Sequence, residues 1–275
     1  MRAAIDIGSN SIRLATENGK FESIITQLAT GIEKTGKLSP VGITNTIDAL
    51  KKFASLARDC EIIAFATEAV RRAADGAEFV ARVKAETGLT VAVLSPECEA
   101  KLALSGATKP KGAVTVCDLG GGSMELISSA DGITPDYVKS LPIGVVVAKN
   151  TYRGDYRKAI DEMPGIVAQY GKAVPYPLVI SGGSACTIAA AILRLSVYDK
   201  TKVSAKFTAK ALDEHMPIFL SDKLTVFRPI CAKRADTLPY GAIIIQALLN
   251  HIGATEFYVS DAGNLEAVLK FGLPQ

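Results

Sequence analysis

The chain alternates short apolar runs with turn residues and amphipathic stretches. Residues 2–7 form a β-like run, Gly8-Ser9-Asn10-Ser11 interrupts it, and residues 12–16 alternate as a second strand. Asn18-Gly19 is a strong hairpin signal, so residues 21–27 are predicted to close a three-stranded antiparallel meander. Ser39-Pro40 then opens a helix, with a capping residue before a proline at the first helical position. Ile43, Ile47, Leu50, Phe53, Ala54 and Ala57 give that helix one apolar face. Residues 61–67 read as a buried strand and residues 77–87 as an amphipathic helix around Phe79, Val80 and Val83, stopped by Gly88. A strand over 89–94 and a short helix over 97–105 follow.

After a turn-rich break at Lys109-Pro110-Lys111-Gly112 the pattern restarts. Residues 113–119 are β-like, Gly120-Gly121-Gly122 makes a turn, 124–128 are a second strand, Asp131-Gly132 a second turn and 136–141 a third strand. Asp6-Ile7-Gly8-Ser9 and Asp118-Leu119-Gly120-Gly121 therefore open meanders of the same shape, which points to duplicated halves. The expected domains are 1–112 and 113–275, with a last helix that can pack back on the first domain. Within the second half, strand 178–181 runs through Gly182-Gly183 into a helix extending to Leu195. Val259-Ser260-Asp261-Ala262-Gly263-Asn264 joins another apolar strand to a helix.

Composition narrows the function classes. A chain of 275 residues, 48% hydrophobic, can bury its core without disulfides. Cys60, Cys98, Cys117, Cys186 and Cys231 are odd in number and widely spaced, without a CxxC pair. They read as reduced thiols of a cytoplasmic protein and argue against a structural zinc site. The N-terminus, with Asp6 in it, lacks the apolar core of a signal peptide, and no apolar run reaches the length of a membrane span. The net charge of +3 suits a small anionic substrate but is too slight for a nucleic-acid binder. Tryptophan is absent and aromatics make up 6%, so base-stacking platforms have little support.

The two Asp-x-Gly turns carry the candidate chemistry. Glycine frees the backbone and lets successive amides line a concave anion site, to which Ser9, Ser11 and Ser123 add hydroxyls. Asp6 and Asp118 would repel a phosphate unless a divalent cation lay between, and magnesium suits one or two carboxylates plus phosphate oxygens. One such loop alone reads as an ordinary β-turn; two in matching contexts favour phosphate. Gly182-Gly183 at a helix start is a third anion site in form, and alone an ordinary strand-to-helix turn. Phosphoryl transfer to water also needs a proton acceptor. His215 and His251 sit in helical runs and read as structural. Glu97 and Glu99 lie at a strand-to-helix junction, where acidic residues also simply complement the helix dipole. Arg71 could grip phosphate in bidentate fashion, while Arg72 reads as a solvated charge.

These segments together resemble the exopolyphosphatase and guanosine pentaphosphate phosphohydrolase (Ppx/GppA) family of the actin-like superfamily. Ala4-Ile5-Asp6-Ile7-Gly8-Ser9-Asn10-Ser11 resembles its first phosphate loop, and Cys117-Asp118-Leu119-Gly120-Gly121-Gly122-Ser123-Met124-Glu125 its second. Ala66-Thr67-Glu68-Ala69-Val70-Arg71-Arg72-Ala73 is similar to its arginine motif and Ser95-Pro96-Glu97-Cys98-Glu99-Ala100-Lys101-Leu102 to its catalytic-glutamate motif. Ser140-Leu141-Pro142-Ile143-Gly144, Ser181-Gly182-Gly183 and Val259-Ser260-Asp261-Ala262-Gly263 follow in family order. The resemblance implies an α/β protein of two ribonuclease H-like (actin-like) domains with a cleft between them. It implies metal-assisted release of terminal phosphate from inorganic polyphosphate or guanosine pentaphosphate, with Mg2+ or Mn2+, and it allows a homodimer. Glu99 would activate water and Arg71 would clamp the phosphate chain. Asp118, Glu125 and Asp6 would hold the metal. Gly8, Ser9, Asn10, Ser11, Gly120, Gly121, Gly122, Ser123, Gly182 and Gly183 would cradle phosphates.

Three positions depart from the family pattern. Cys98 replaces one of two paired acids, Met124 replaces a threonine expected to donate near the site, and Lys101 replaces an arginine. Longer relatives add a helical region that extends the polyphosphate channel, so processive action on long chains is not expected of this sequence. Two alternatives stay open: a non-catalytic sensor of guanosine penta- or tetraphosphate or of polyphosphate, and an actin-like kinase or ATPase.

Overall fold

The computed structural model describes residues 1–107, 110–172, 176–221 and 234–274. Cys231 and Lys109 lie outside the described residues. The chain divides into two compact units, Met1–Gly106 with Asn264–Gln275, and Ala107–Gly263. No helix among the described residues is long and apolar enough to cross a membrane.

The first unit is built on strands β1 (Arg2–Ile7), β2 (Ser11–Thr16), β3 (Phe21–Ile25), β4 (Glu61–Ala66) and β5 (Val91–Val93). Their order is β3-β2-β1-β4-β5; the first three form the antiparallel meander, and β4 and β5 run parallel to β1. Parallel strands covered on both faces read as continuous apolar runs, and β1 obeys this. Its Ala3, Ile5 and Ile7 pack with Leu50 and Phe53 of α2 (Pro40–Leu56) and Phe79 and Val83 of α4 (Gly76–Thr87). On the other face Ala4 packs with Phe65, with Leu102 of α5 (Pro96–Gly106), and with Leu265 and Val268 of the terminal helix Asn264–Phe271. Two short helices, α1 (Ile32–Thr35) and α3 (Glu68–Arg72), complete the unit.

The second unit repeats the plan. Its strands are β6 (Val114–Leu119), β7 (Met124–Ser129), β8 (Tyr137–Leu141), β9 (Leu178–Ser181), β10 (Lys206–Thr208) and β11 (Glu256–Ser260). They lie in the order β10-β11-β9-β6-β7-β8. β6, β7 and β8 form the antiparallel meander, β9 and β11 run parallel to β6, and β10 adds an antiparallel edge. Stripped of β10, this is the order of the first sheet, so the internal symmetry seen in the Asp-x-Gly repeats is a repeat of topology. Among the described residues the α-helices are α6 (Val145–Tyr152), α7 (Tyr156–Val167), α8 (Gly183–Ile192), α9 (Lys200–Val203), α10 (Ala209–Phe219) and α11 (Leu238–Ile252). One apolar core joins α6, α7, α8, α10 and α11 to the sheet. The terminal helix Asn264–Phe271, α12, belongs to the first unit, where Arg2 donates to its Lys270 carbonyl at 3.4 Å.

Several expected elements are shorter than their sequence pattern, β5 among them at Val91–Val93, and for two the hydrogen bonds give the reason. β3 stops at Ile25 because the amides of Thr26 and Gln27 both turn to the Asn10 carbonyl, and Gln27 takes φ 56°. α8 stops at Ile192 because Arg194 turns left-handed at φ 52°. The Arg194 and Leu195 amides then close on Ala191 and Ala190, a Schellman-type ending.

The start of α2 is governed by its cap. The Ser39 hydroxyl accepts from the Gly42 amide at 3.1 Å, and Pro40 occupies the first turn. Ser39→Ala should destabilise the protein by about 1 kcal/mol. Urea denaturation should show a lower midpoint at unchanged slope, whereas an unchanged midpoint would mean that the cap contributes nothing.

Candidate active site

In each unit the candidate residues lie at the carboxyl ends of the parallel strands, where open α/β sheets bind ligands. β1 leads into the Gly8 turn, β4 into α3 with Arg71, and β5 into α5 with Glu99. The Gly8 amide donates to the Ser11 carbonyl at 3.1 Å, which folds β1 back onto β2. Gly8 does not adopt a left-handed φ, and neither does Gly120. The backbone freedom expected of these glycines is therefore not what the turns use. They use space: an added Cβ would lie 3.0 Å from the Ser11 carbonyl oxygen at Gly8, and 3.2 Å from that of Ser123 at Gly120.

The carbonyls of this first turn are held from one side. Asn10 accepts from Thr26 and Gln27, each at 3.0 Å, and Ser9 accepts from Ala29 at 2.9 Å. In a trans peptide the following N–H points opposite to the carbonyl. The amides of Asn10 and Ser11 therefore face away from segment 26–29. Asp6 is buried, at 3% exposure, and lies beside Arg13 in the β1–β2 register. Both Nε and Nη2 of Arg13 donate to its Oδ2. Arg71 and Glu99 also come together. Arg71 Nη1 donates to Glu99 Oε2 at 2.5 Å and to the Leu94 carbonyl at 2.6 Å, and Glu99 is buried at 6% exposure. Glu97 is exposed instead. Its carboxyl is held below the usual range by its own backbone amide, by the Ser95 hydroxyl and by the charge of Arg71.

The second unit places four residues side by side on neighbouring strands. Ser181 on β9 is in register with Asp118 on β6, Asp118 with Glu125 on β7, and Glu125 with Ser140 on β8. In-register residues share a face of the sheet with Cβ atoms about 5 Å apart. Ser181 donates to Asp118 Oδ1 at 2.9 Å, and Ser140 to Glu125 Oε1 at 2.7 Å. The two carboxylates leave a negative field behind them: the Cys117 thiol is pushed well up by burial first and then by Asp118 and Glu125. Among the described residues no group of three or more His, Cys, Asp or Glu side chains gathers as a metal site. Two adjacent carboxylates flanked by hydroxyls nevertheless form a hard oxygen donor set, which fits an ion that takes one or two carboxylates and fills its shell with phosphate and water.

Beside this row the Gly120 amide donates to the Ser123 carbonyl at 3.0 Å, repeating the Gly8 turn. The carbonyls of Gly120, Gly121 and Gly122 accept from the first residues of α6. By the same peptide geometry, the amides of Gly121, Gly122 and Ser123 face away from α6. At the third candidate anion site, Gly182 has φ 107°, and a Cβ there would lie 2.3 Å from the Leu119 carbonyl oxygen. Only glycine meets both conditions.

Sequence reasoning missed two arginines. Arg13 alternates inconspicuously along β2, and only the register reveals its partner. The Arg234 guanidinium lies so close over Gly183 that a Cβ there would be 2.2 Å from its Cζ. A cation at a helix start opposes the helix dipole. The histidines bind backbone: His215 Nδ1 lies 2.8 Å from the Ala211 carbonyl, and His251 Nε2 lies 2.7 Å from that of Gly171.

Comparison with known proteins shows the family and the fold. The family model described as the Ppx/GppA phosphatase family matches residues 20–273. The crystal structure of the Aquifex aeolicus member of the Ppx/GppA family is 33% identical, with a TM-score of 0.78, over 97% of this chain and 95% of that one. This chain belongs to the Ppx/GppA phosphatase family. Its two-unit architecture is accordingly the actin-like one. The bifunctional 3-dehydroquinate synthase/phosphatase of Fusobacterium nucleatum is 26% identical over 311 residues, covering 99% of this chain and 46% of that protein. Exopolyphosphatase 1 of Mycobacterium tuberculosis is 30% identical over 156 residues, covering 51% of this chain and 45% of that protein. The chain spans about half the length of these curated relatives.

Two departures from the Ppx/GppA pattern can now be located. Met124 is fully buried in the apolar core, one residue from Glu125 and on the opposite face of β7. Its side chain points away from the carboxylate row, so the methionine changes core packing rather than removing a donor from the row. Cys98 packs against the Ala4 and Phe65 cluster, while its neighbour Glu99 reaches Arg71.

Ser140 orients one carboxylate of the row without altering its charge. Ser140→Ala should lower stability by about 1.5–3 kcal/mol, the range for losing a hydrogen bond to a charged group. Ser140→Thr, which keeps the hydroxyl, should recover most of this in the same denaturation assay. Equal loss in both variants would assign the effect to packing.

Proposed function

We propose that this Ppx/GppA protein is a phosphohydrolase that releases terminal orthophosphate from inorganic polyphosphate or guanosine pentaphosphate. One observation carries the reading. The β6–β7 hairpin bears both a turn whose amides face one way and the paired carboxylates Asp118 and Glu125. Amides alone would suit any anion, and carboxylates alone would repel one. Together they suit a phosphate accompanied by a divalent cation. Asp118 and Glu125 would hold magnesium, or manganese in its place, and the ion would neutralise charge on the phosphate oxygens. Asp6 receives no metal role in this reading, because Arg13 already pairs its charge within the sheet.

The remaining steps belong to backbone amides and side chains. The amides of Gly121, Gly122 and Ser123, and those of Asn10 and Ser11, bind phosphate oxygens. The Arg234 guanidinium, at the start of α8, adds positive charge. Glu99 accepts a proton from the attacking water. The oxygen of that water bonds to the terminal phosphorus, the bridging P–O bond breaks, and the shortened chain leaves with the bond's electron pair. Arg71 passes from Glu99 to the phosphate chain, which frees the carboxylate for the proton.

A second reading, a sensor that binds without turnover, is favoured by the same Arg71–Glu99 ion pair, since a base engaged by a guanidinium is a weak proton acceptor. Phosphate release from tripolyphosphate and from guanosine pentaphosphate, with and without magnesium, separates the two. The expected outcome is magnesium-dependent release that falls about 10²–10⁴-fold in Glu99→Gln. Micromolar binding without release would select the sensor. Arg71→Ala should raise KM and lower kcat together; full activity in that variant would remove Arg71 from the mechanism.

A further inference from the structure

We infer that the first turn of α6 sets the phosphate-binding geometry of the Gly120–Ser123 turn, with Gly144 as the positioning residue. The inference rests on the reading of that turn as a phosphate cradle. A run of three glycines has no side chains to hold its shape and loses more conformational freedom on ordering than any other sequence. Something outside the run must fix it. The Gly144 amide donates to the Gly122 carbonyl at 3.1 Å, Val145 to Gly120 at 3.1 Å, and Val146 and Val147 to Gly121 at 2.9 and 3.3 Å. These are the donors that a helix start leaves without intrahelical partners. They are spent on the loop, so the start of α6 is not an anion site of its own. Its effect is to hold three carbonyls on one side and thereby turn the amides of Gly121, Gly122 and Ser123 to the other.

Gly144 is what permits the contact. Its φ of −107° and ψ of 177° are open to any residue, so conformation does not demand glycine there. Distance does: a Cβ at Gly144 would lie 2.3 Å from both the carbonyl carbon and oxygen of Gly121, and 2.6 Å from the Gly122 nitrogen. α6 is itself anchored, with Val145, Ala148 and Tyr152 in the core of the second unit. The first unit reaches the same end by other means, through the amides of Thr26, Gln27 and Ala29 on the carbonyls of Asn10 and Ser9. Two unrelated segments thus clamp the two matching turns from behind.

The test uses the full chain carrying Glu99→Gln, to prevent turnover, labelled with 15N and titrated with inorganic tripolyphosphate in the presence of magnesium. In this parent the amide resonances of Gly121, Gly122 and Ser123 should shift on binding. Gly144→Ala should displace the same resonances in the free protein and weaken tripolyphosphate binding at least about tenfold, the equivalent of one lost charge-assisted hydrogen bond. Val145→Pro provides the second variant. Proline is favoured at the first helical position, and the extended Gly144 accepts a following proline, so α6 should persist while the bond to Gly120 is lost. Its binding should weaken about three- to tenfold. Unchanged affinity in Val145→Pro, or in a folded Gly144→Ala, would overturn the positioning role even if the melting temperature falls. Absence of any shift at Gly121, Gly122 and Ser123 in the parent would instead overturn the phosphate-cradle reading on which it rests.

Discussion

The bond from Gly8 to Ser11, repeated from Gly120 to Ser123, is the constraint on which both units depend. It folds the central strand back within three residues. The strand before it is thereby free to pair in parallel with β4 or β9 on its other side. The same fold-back puts an aspartate two residues before each turn, next to the residue across the hairpin: Arg13 for Asp6, Glu125 for Asp118. Sheet order, carboxylate position and amide direction all follow from one tight turn.

Once the turns are fixed, the two units differ in how their carboxylates are held. The first unit pairs them with guanidiniums, Asp6 with Arg13 and Glu99 with Arg71. The second places hydroxyls on them, Ser181 on Asp118 and Ser140 on Glu125. A hydroxyl orients a carboxylate without cancelling its charge, whereas a guanidinium does both. Burial raises the Cys117 thiol first, and the charges of Asp118 and Glu125 add to it. One fold, used twice, therefore holds its carboxylates by ion pairs in one copy and by hydroxyl hydrogen bonds in the other.

The glycines separate two physical roles that sequence cannot tell apart. Gly182 is left-handed and close to Leu119, so both conformation and space demand it. Gly144 needs space alone, and at Gly8 and Gly120 a Cβ would be tight against one carbonyl oxygen. The departures at Met124 and Cys98 make a related point. A residue within one position of a candidate acid can face the core: Met124 because neighbouring side chains on a strand point to opposite faces, and Cys98 because successive side chains on a helix point in different directions around its axis.

The sequence by itself determined the elements whose cause is local. The two meanders, the capped start of α2 at Ser39, the Gly88 stop and the Asp-x-Gly repeats rest on hydrophobic period, capping and turn chemistry, all of which act within a few residues. It also carried the family, because the motifs recur in order along the chain. Only the tertiary structure decided which residues meet across long separations. The Arg71–Glu99 pair, the Ser181–Asp118–Glu125–Ser140 row, the Arg234 guanidinium over Gly183 and the seat of α6 on the glycine turn join segments far apart in sequence. Strand register and close backbone approach create those contacts, and neither is written in the period or composition of any single segment.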